Sequence, residues 1–135
     1  MARKNIDILY NDMSARLNSG VKLACVKSES ALWGHDITLD THWLNTLKSP
    51  HHEFKAYLFP LSSMTEKQCE KFNKRCGLNA KLEDIRQGKI IPTSDSIDIK
   101  TIAIAIEWLN ENHFDHRGLI KMGFAIDATN LNIYE

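Results

Sequence analysis

The sequence has no long hydrophobic run. Its longest apolar stretch, from Ile102 to Ile106, falls far short of the roughly 18 residues that a membrane-spanning helix needs. Cysteine is scarce and unpaired in pattern: Cys25, Cys69 and Cys76 form an odd set without CxxC spacing. That argues against a disulfide framework and for free buried thiols in a reducing compartment. The six glycines are scattered and build neither GxGxxG nor GxxxxGK[ST], which excludes a nucleotide cofactor held by such a loop. There is no GxSxG elbow for a serine nucleophile and no HExxH pair for zinc. Excess charge is missing too: 17 Lys and Arg balance 17 Asp and Glu. The chain therefore lacks the general attraction that a basic protein has for nucleic acid. The opening MARKNIDILY carries charge but no apolar core of a signal sequence, so the expected location is the cytoplasm.

What is present is a chain of 135 residues, 43% of them apolar, which reads as a single domain over residues 1–135. A chain of this length buries roughly two thirds of its unfolded surface, enough to stand without a metal or a crosslink. Charge is unevenly spread. Residues 1–27 hold five basic and two acidic groups and residues 66–90 hold seven and four, whereas residues 28–65 and 92–135 are acidic on balance.

Ile6, Leu9, Tyr10, Met13 and Leu17 recur at helical spacing and predict a helix over about residues 4–17, stopped by Gly20. Val21, Leu23 and Cys25 alternate as a strand, Ser28-Glu29-Ser30 suits a turn, and residues 31–39 continue the alternation with a bulge at Gly34 and His35. Thr41 to Leu47 fits a strand or a short helix, and the strand is taken. Ser49-Pro50 predicts a helical turn over His51-His52-Glu53, followed by an extended Ala56-Tyr57-Leu58-Phe59. Ser63-Met64-Thr65-Glu66 matches a capping box, which predicts a helix from Met64 that carries Cys69, Phe72 and Cys76 on its inner face and ends at Gly77. Residues 78–97 read as loop with a helical turn near Leu82 to Ile85. A helix follows over residues 98–112 with Ile102, Ala105, Ile106 and Leu109 on one face. Asp115 suits a cap for a short helix over about 116–122, and Phe124-Ala125-Ile126 reads as extended. The class these elements define is α+β: an N-terminal helix and a small antiparallel sheet within residues 1–60, with C-terminal helices from 61 to 135 packed on it.

Three histidine groups are of metal-binding type: His35-Asp36 with Asp40 and His42, His51-His52-Glu53, and His113 with Asp115 and His116. None has a recognised ligand spacing, so no cofactor is expected, and the metal candidate is the last group, His113, Asp115 and His116. The densest mixture of aromatic and polar residues runs from Trp108 to Ile120. There His113, Phe114, His116 and Arg117 are the candidate partner-binding residues, polar groups around an apolar anchor. Lys67, Lys71, Lys74 and Arg75, in the basic stretch 66–90, are the candidate nucleic-acid contacts.

LFPLSSMTEKQ at 58–68 and WLNENHFDHRGLIKMGFAIDATNLNIY at 108–134, with SARLNSGVKL at 14–23, resemble a group of small uncharacterised proteins of Bacteroidales phages and mobile genetic elements. These stretches cover about 50 of the 135 residues, while 28–56 and 78–97 look individual. The resemblance brings no activity, cofactor or active site with it. It implies a gene carried by a phage or mobile element and a product that binds a host or phage protein or nucleoprotein. The expectation is a non-enzymatic accessory protein that counters host defence. The alternatives are a local nucleic-acid binder through residues 66–90 and a metal-dependent hydrolase or nuclease built on clustered His and Asp.

Overall fold

A computed structural model describes residues 3–28, 36–49, 51–90 and 98–134, and the class is α+β. In chain order the elements are α1 (Arg3–Ala15), β1 (Lys22–Ser28), β2 (Asp36–Thr38), α2 (Thr41–Thr46) and β3 (His52–Pro60). A short 3-10 turn at Leu61–Ser63 leads to α3 (Glu66–Cys76) and α4 (Leu82–Arg86). Then come α5 (Ile99–Glu111), β4 (Phe114–Asp115), α6 (Leu119–Met122) and β5 (Ala125–Asp127).

The strands form one mixed sheet around β3. On one side β1 pairs antiparallel with β3, Leu23 opposite Ala56, and β2 pairs antiparallel with β1. These three strands are the antiparallel unit expected within residues 21–59. The other edge of β3 is shared by two C-terminal strands, both parallel to it: β5 along Ala56 to Leu58, and β4 at Phe59 and Pro60. The last quarter of the chain thus enters the sheet as well as covering it.

Two apolar clusters flank this arrangement. Alternation in β3 turns Phe54, Ala56 and Leu58 inward, where they meet Leu9 and Met13 of α1, Leu44 of α2 and Leu119 of α6. The second cluster joins α3, α4 and α5 through Phe72, Ile85, Trp108 and Leu109, and it closes on Phe114 of β4. Phe114 lies 5.9 Å from Trp108 in a stacked pair and 6.1 Å from Phe59, so aromatic contacts seal the seam between sheet and helices.

Several local expectations are corrected. Thr41 to Leu47 is not a strand: Asp40 accepts a hydrogen bond from the Trp43 amide, 3.0 Å, and this cap starts α2 and buries Leu44. His51-His52-Glu53 is not a helical turn, because β3 begins at His52 and its pairing with β1 runs through His52 and Glu53. The capping box is displaced by two residues. Thr65 is the N-cap and Gln68 its reciprocal partner, while Ser63 belongs to the 3-10 turn. Met64 stays outside α3 because it is extended and fully buried, with its carbonyl accepting both Nε and Nη2 of Arg86. The bulge expected at Gly34 and His35 falls outside the described residues, as do Glu29, Ser30, Pro50 and residues 91–97. An irregularity in the ladder lies instead in β1, between Cys25 and Lys27. In α5 the inner face is Ala105, Trp108, Leu109 and Asn110, while Ile102 and Ile106 point outward at 46% and 39% exposure. The helix is as expected and its face is rotated.

Candidate functional site

The core-facing stripe of α1 and the residue just past its end carry charge. Asp12 and Arg16, one helical turn apart, are 0% and 1% exposed and pair through Nε and Oδ2 at 2.8 Å. Arg16 Nη2 also donates to the main-chain carbonyl of Phe114, 2.7 Å away. Arg117 brings its Nε to 3.4 Å from Asp12 Oδ1, an ion contact rather than a hydrogen bond. Two guanidinium groups therefore flank one carboxylate, and the cluster carries net positive charge next to residues 110–117. Asp12 Oδ1, Arg16 Nη1 and His113 Nδ1 are buried without a hydrogen-bond partner among the described residues.

The candidate partner-binding residues follow one another in sequence and part company in space. Phe114 is 1% exposed and fills the aromatic seam, so it anchors the core and not a partner. His113 adopts a left-handed backbone, φ 64°, and its ring stacks on Tyr134 with centroids 3.8 Å apart. Burial, then the nearby Arg16 and Lys22 cations, pull its pKa down to about 4. His116 contacts Asn110 Oδ1 through Nε2 at 2.8 Å, and its pKa is also lowered, first by burial and then by Arg16. Both rings are thereby held neutral. Arg117 alone of the four is exposed.

Asp115, from the metal candidate, spends both oxygens on the open N-terminus of α6. Oδ1 accepts from the Leu119 amide and Oδ2 from the Ile120 amide, each at 2.9 Å. The expected cap position is corrected: α6 starts at Leu119 with Gly118 as its N-cap, and Asp115, three residues earlier, reaches its first two amides. Among the described residues no group of three His, Cys, Asp or Glu side chains is placed to hold a metal ion. In the first histidine group, Asp36 accepts from the Tyr57 hydroxyl at 2.8 Å, Asp40 caps α2, and His42 packs edge-on against Trp43. Burial and the Asp36 contact push the Tyr57 phenol up to about 12. The ring of His52, in the second group, lies 5.9 Å from Phe54. All three cysteines are buried and outside any disulfide, and burial raises the Cys69 and Cys76 thiols.

The residues missed by pattern reading are Asp12, Arg16, Asn110 and Tyr134. A signal for the first pair was available: Arg16 continues the apolar stripe of α1, seven residues after Leu9 and three after Met13, with an acid one turn before it. Tyr134 had none, since its hydroxyl joins partners distant in sequence. It accepts from the Lys22 amide at 2.9 Å and donates to the Tyr57 carbonyl at 2.6 Å.

Two surfaces remain open. On α3, Lys67, Lys71 and Lys74 recur at i, i+4 and i+7, so they form one ridge directly opposite the buried Cys69, Phe72 and Cys76. All three are exposed, and none makes an ion pair with a described residue. Arg75 turns aside towards α5, with Nη2 3.9 Å from Glu107 and 3.8 Å from Glu111. The second surface is an open cleft of about 530 Å³ between the end of α1 and α5, lined among others by Leu17, Ser19, Ala103, Ile106 and Asn110. No helix among the described residues is long and apolar enough to cross a membrane. No family model, curated protein or solved structure matches this chain.

Proposed function

We propose that the protein is an accessory protein of a phage or mobile element, and that it works in the bacterial cytoplasm by stoichiometric binding to a macromolecular partner, to the detriment of host defence. The observation that carries this reading is the lysine ridge of α3. It offers three outward ammonium groups on a rigid helix whose opposite face is fixed in the core. The side chains with catalytic potential in residues 110–117 are engaged internally, Asp115 on α6 and His113 against Tyr134. A ridge of this kind fits an acidic face on a host or phage protein, where complementary charge sets encounter rate and orientation. The setting comes from the resemblance of residues 14–23, 58–68 and 108–134.

Nucleic acid is the second reading, favoured by the same periodic lysines. Zero net charge and the acidic Glu66 and Glu70 beside the ridge weaken it. One experiment separates the two: a tagged copy is expressed in a Bacteroidales host, with and without phage, and purified before and after nuclease treatment. The expected result is a stoichiometric protein that survives nuclease and disappears when Lys67, Lys71 and Lys74 are all changed to Glu. Nuclease-sensitive material alone would move the assignment to nucleic acid. Recovery that ignores the triple substitution would sink the ridge as the site.

A further inference from the structure

The outer face of α5 is apolar in an ordered way. Ile99, Ile102, Ala103 and Ile106 recur at i, i+3, i+4 and i+7, the spacing of a helix-packing stripe, yet all four are exposed, beside the buried row of Ala105, Trp108 and Leu109. Ile99 is 86% exposed at the helix start. Alongside the isoleucines runs a row of charge, Lys100 followed two turns later by Glu107, both exposed. Towards the other end of the helix the cleft opens beside α1, with Ala103, Ile106 and Asn110 among its lining.

We propose that this face takes a second copy of the chain, two α5 helices packing antiparallel about a two-fold axis that passes between Ala103 and Ile104. The argument is self-complementarity, which a two-fold interface requires of a single surface. A two-fold perpendicular to the helix pair keeps the isoleucine rows together on one side and the charged rows together on the other. In this register Lys100 of each copy faces Glu107 of the other, so one sequence supplies two opposite-charge contacts. Seven residues of helix advance about 10.5 Å. This brings Ile99 of one copy level with the space between Ile106 and Asn110 of the other, where the cleft lies. An exposed side chain and an open cleft, displaced along the same helix, thus fill each other twice. Ala103 sits at the crossing, where its small side chain permits a short interaxial distance. The pairing leaves the lysine ridge of α3 outside, so it stands or falls independently of the partner-binding reading.

Purified protein, tested by light scattering after gel filtration across a concentration series, is expected to have twice the 15.4 kDa chain mass. Ile102→Asp is expected to give the single-chain mass with an unchanged circular dichroism spectrum. Charge reversal tests the register itself. Lys100→Glu and Glu107→Lys should each be single chains alone, because like charges then meet at both contacts. An equimolar mixture should recover the doubled mass, because the two variants complement each other at both contacts. A wild-type chain that stays single at submillimolar concentration would overturn the proposal. So would charge variants that associate as the wild type does, or a mixture that stays single.

Discussion

Arg16 Nη2 donates a 2.7 Å hydrogen bond to the carbonyl of Phe114, a residue 98 positions further along the chain. The same guanidinium pairs with Asp12 through Nε. One side chain therefore ties the end of the N-terminal helix to β4, the first of the two C-terminal strands to enter the sheet, and it does so where water is excluded. A buried pair of this kind gains little over well-packed apolar residues, but loss of one partner leaves the other charged and desolvated.

Replacing Arg16 by Met leaves Asp12 with only the partly exposed Arg117, 3.4 Å away, and should therefore cost about 3 kcal/mol, the low end of the range for a buried charge that loses its partner. Changing Asp12 to Leu in the same chain should recover most of that loss, because the remaining charge is removed with its partner. Urea denaturation of the two variants and the wild type measures this. Equal losses in the single and double variants would show that packing, and not the carboxylate deprived of its buried partner, dominates.

Acid should weaken the fold through His113. Its folded pKa is about 4 against an ordinary 6.5, so between those values the unfolded chain binds the proton that the folded chain refuses. Stability from this group is complete above about pH 6.5, falls as pH drops through the window, and is fully lost below about 4. Solvent screening at the half-buried ring reduces the expected contribution to about 1–2 kcal/mol. His116, with its pKa lowered in the same direction, acts with the same sign. Asn at position 113 suits the left-handed backbone and does not titrate. His113→Asn should thus flatten the pH dependence of the denaturation midpoint between about 4 and 6.5, and an unchanged slope would remove His113 from this role.

Much of the fold is legible in the sequence because local patterns and tertiary structure agree there. The helices α1, α3 and α5 follow from apolar spacing, and Gly77, at φ 68°, closes α3 in the left-handed conformation that glycine adopts without strain. Illegible elements are those decided by distant partners. Phe114-Asp115 and Ala125-Ile126-Asp127 are too short to show a period, and their strands exist because the edge of β3 is free to receive them. The rotation of α5 has the same origin: Trp108 is drawn inward by Phe72 and Phe114, which turns Ile102 and Ile106 to the outside. For the candidate site, residue types in the 110–117 segment are visible in sequence, but which of them face inward is not. Alternation cannot reveal that Phe114 and Asp115, adjacent in a two-residue strand, are both buried.

The start of α3 offers a direct comparison of two hydroxyls. Thr65 Oγ1 accepts from the Gln68 amide, and Gln68 Oε1 accepts from the Thr65 amide, so both sides of the capping box are closed. Ser63 Oγ donates to the Pro60 carbonyl and does not touch the helix. Thr65→Ala should cost about 1 kcal/mol. Ser63→Ala should cost less, since a carbonyl has a second lone pair and can turn to solvent. A larger loss at Ser63 would return the cap to the position that the sequence pattern favours.

Asp115 tests whether the 110–117 segment is held by its own bonds. Both carboxylate oxygens accept amides that open α6, and the residue is buried. Alanine at this position leaves the Leu119 and Ile120 amides without acceptors and should cost about 2 kcal/mol. Asn retains one acceptor oxygen and should lose about half as much, on the order of 1 kcal/mol. The two substitutions should rank in this order by thermal or urea denaturation, and zinc, manganese or nickel should leave the wild-type midpoint where it was. A midpoint raised by one of these ions and unaffected in Asp115→Ala would make Asp115 a ligand instead, since a metal that binds the native state stabilises it by mass action.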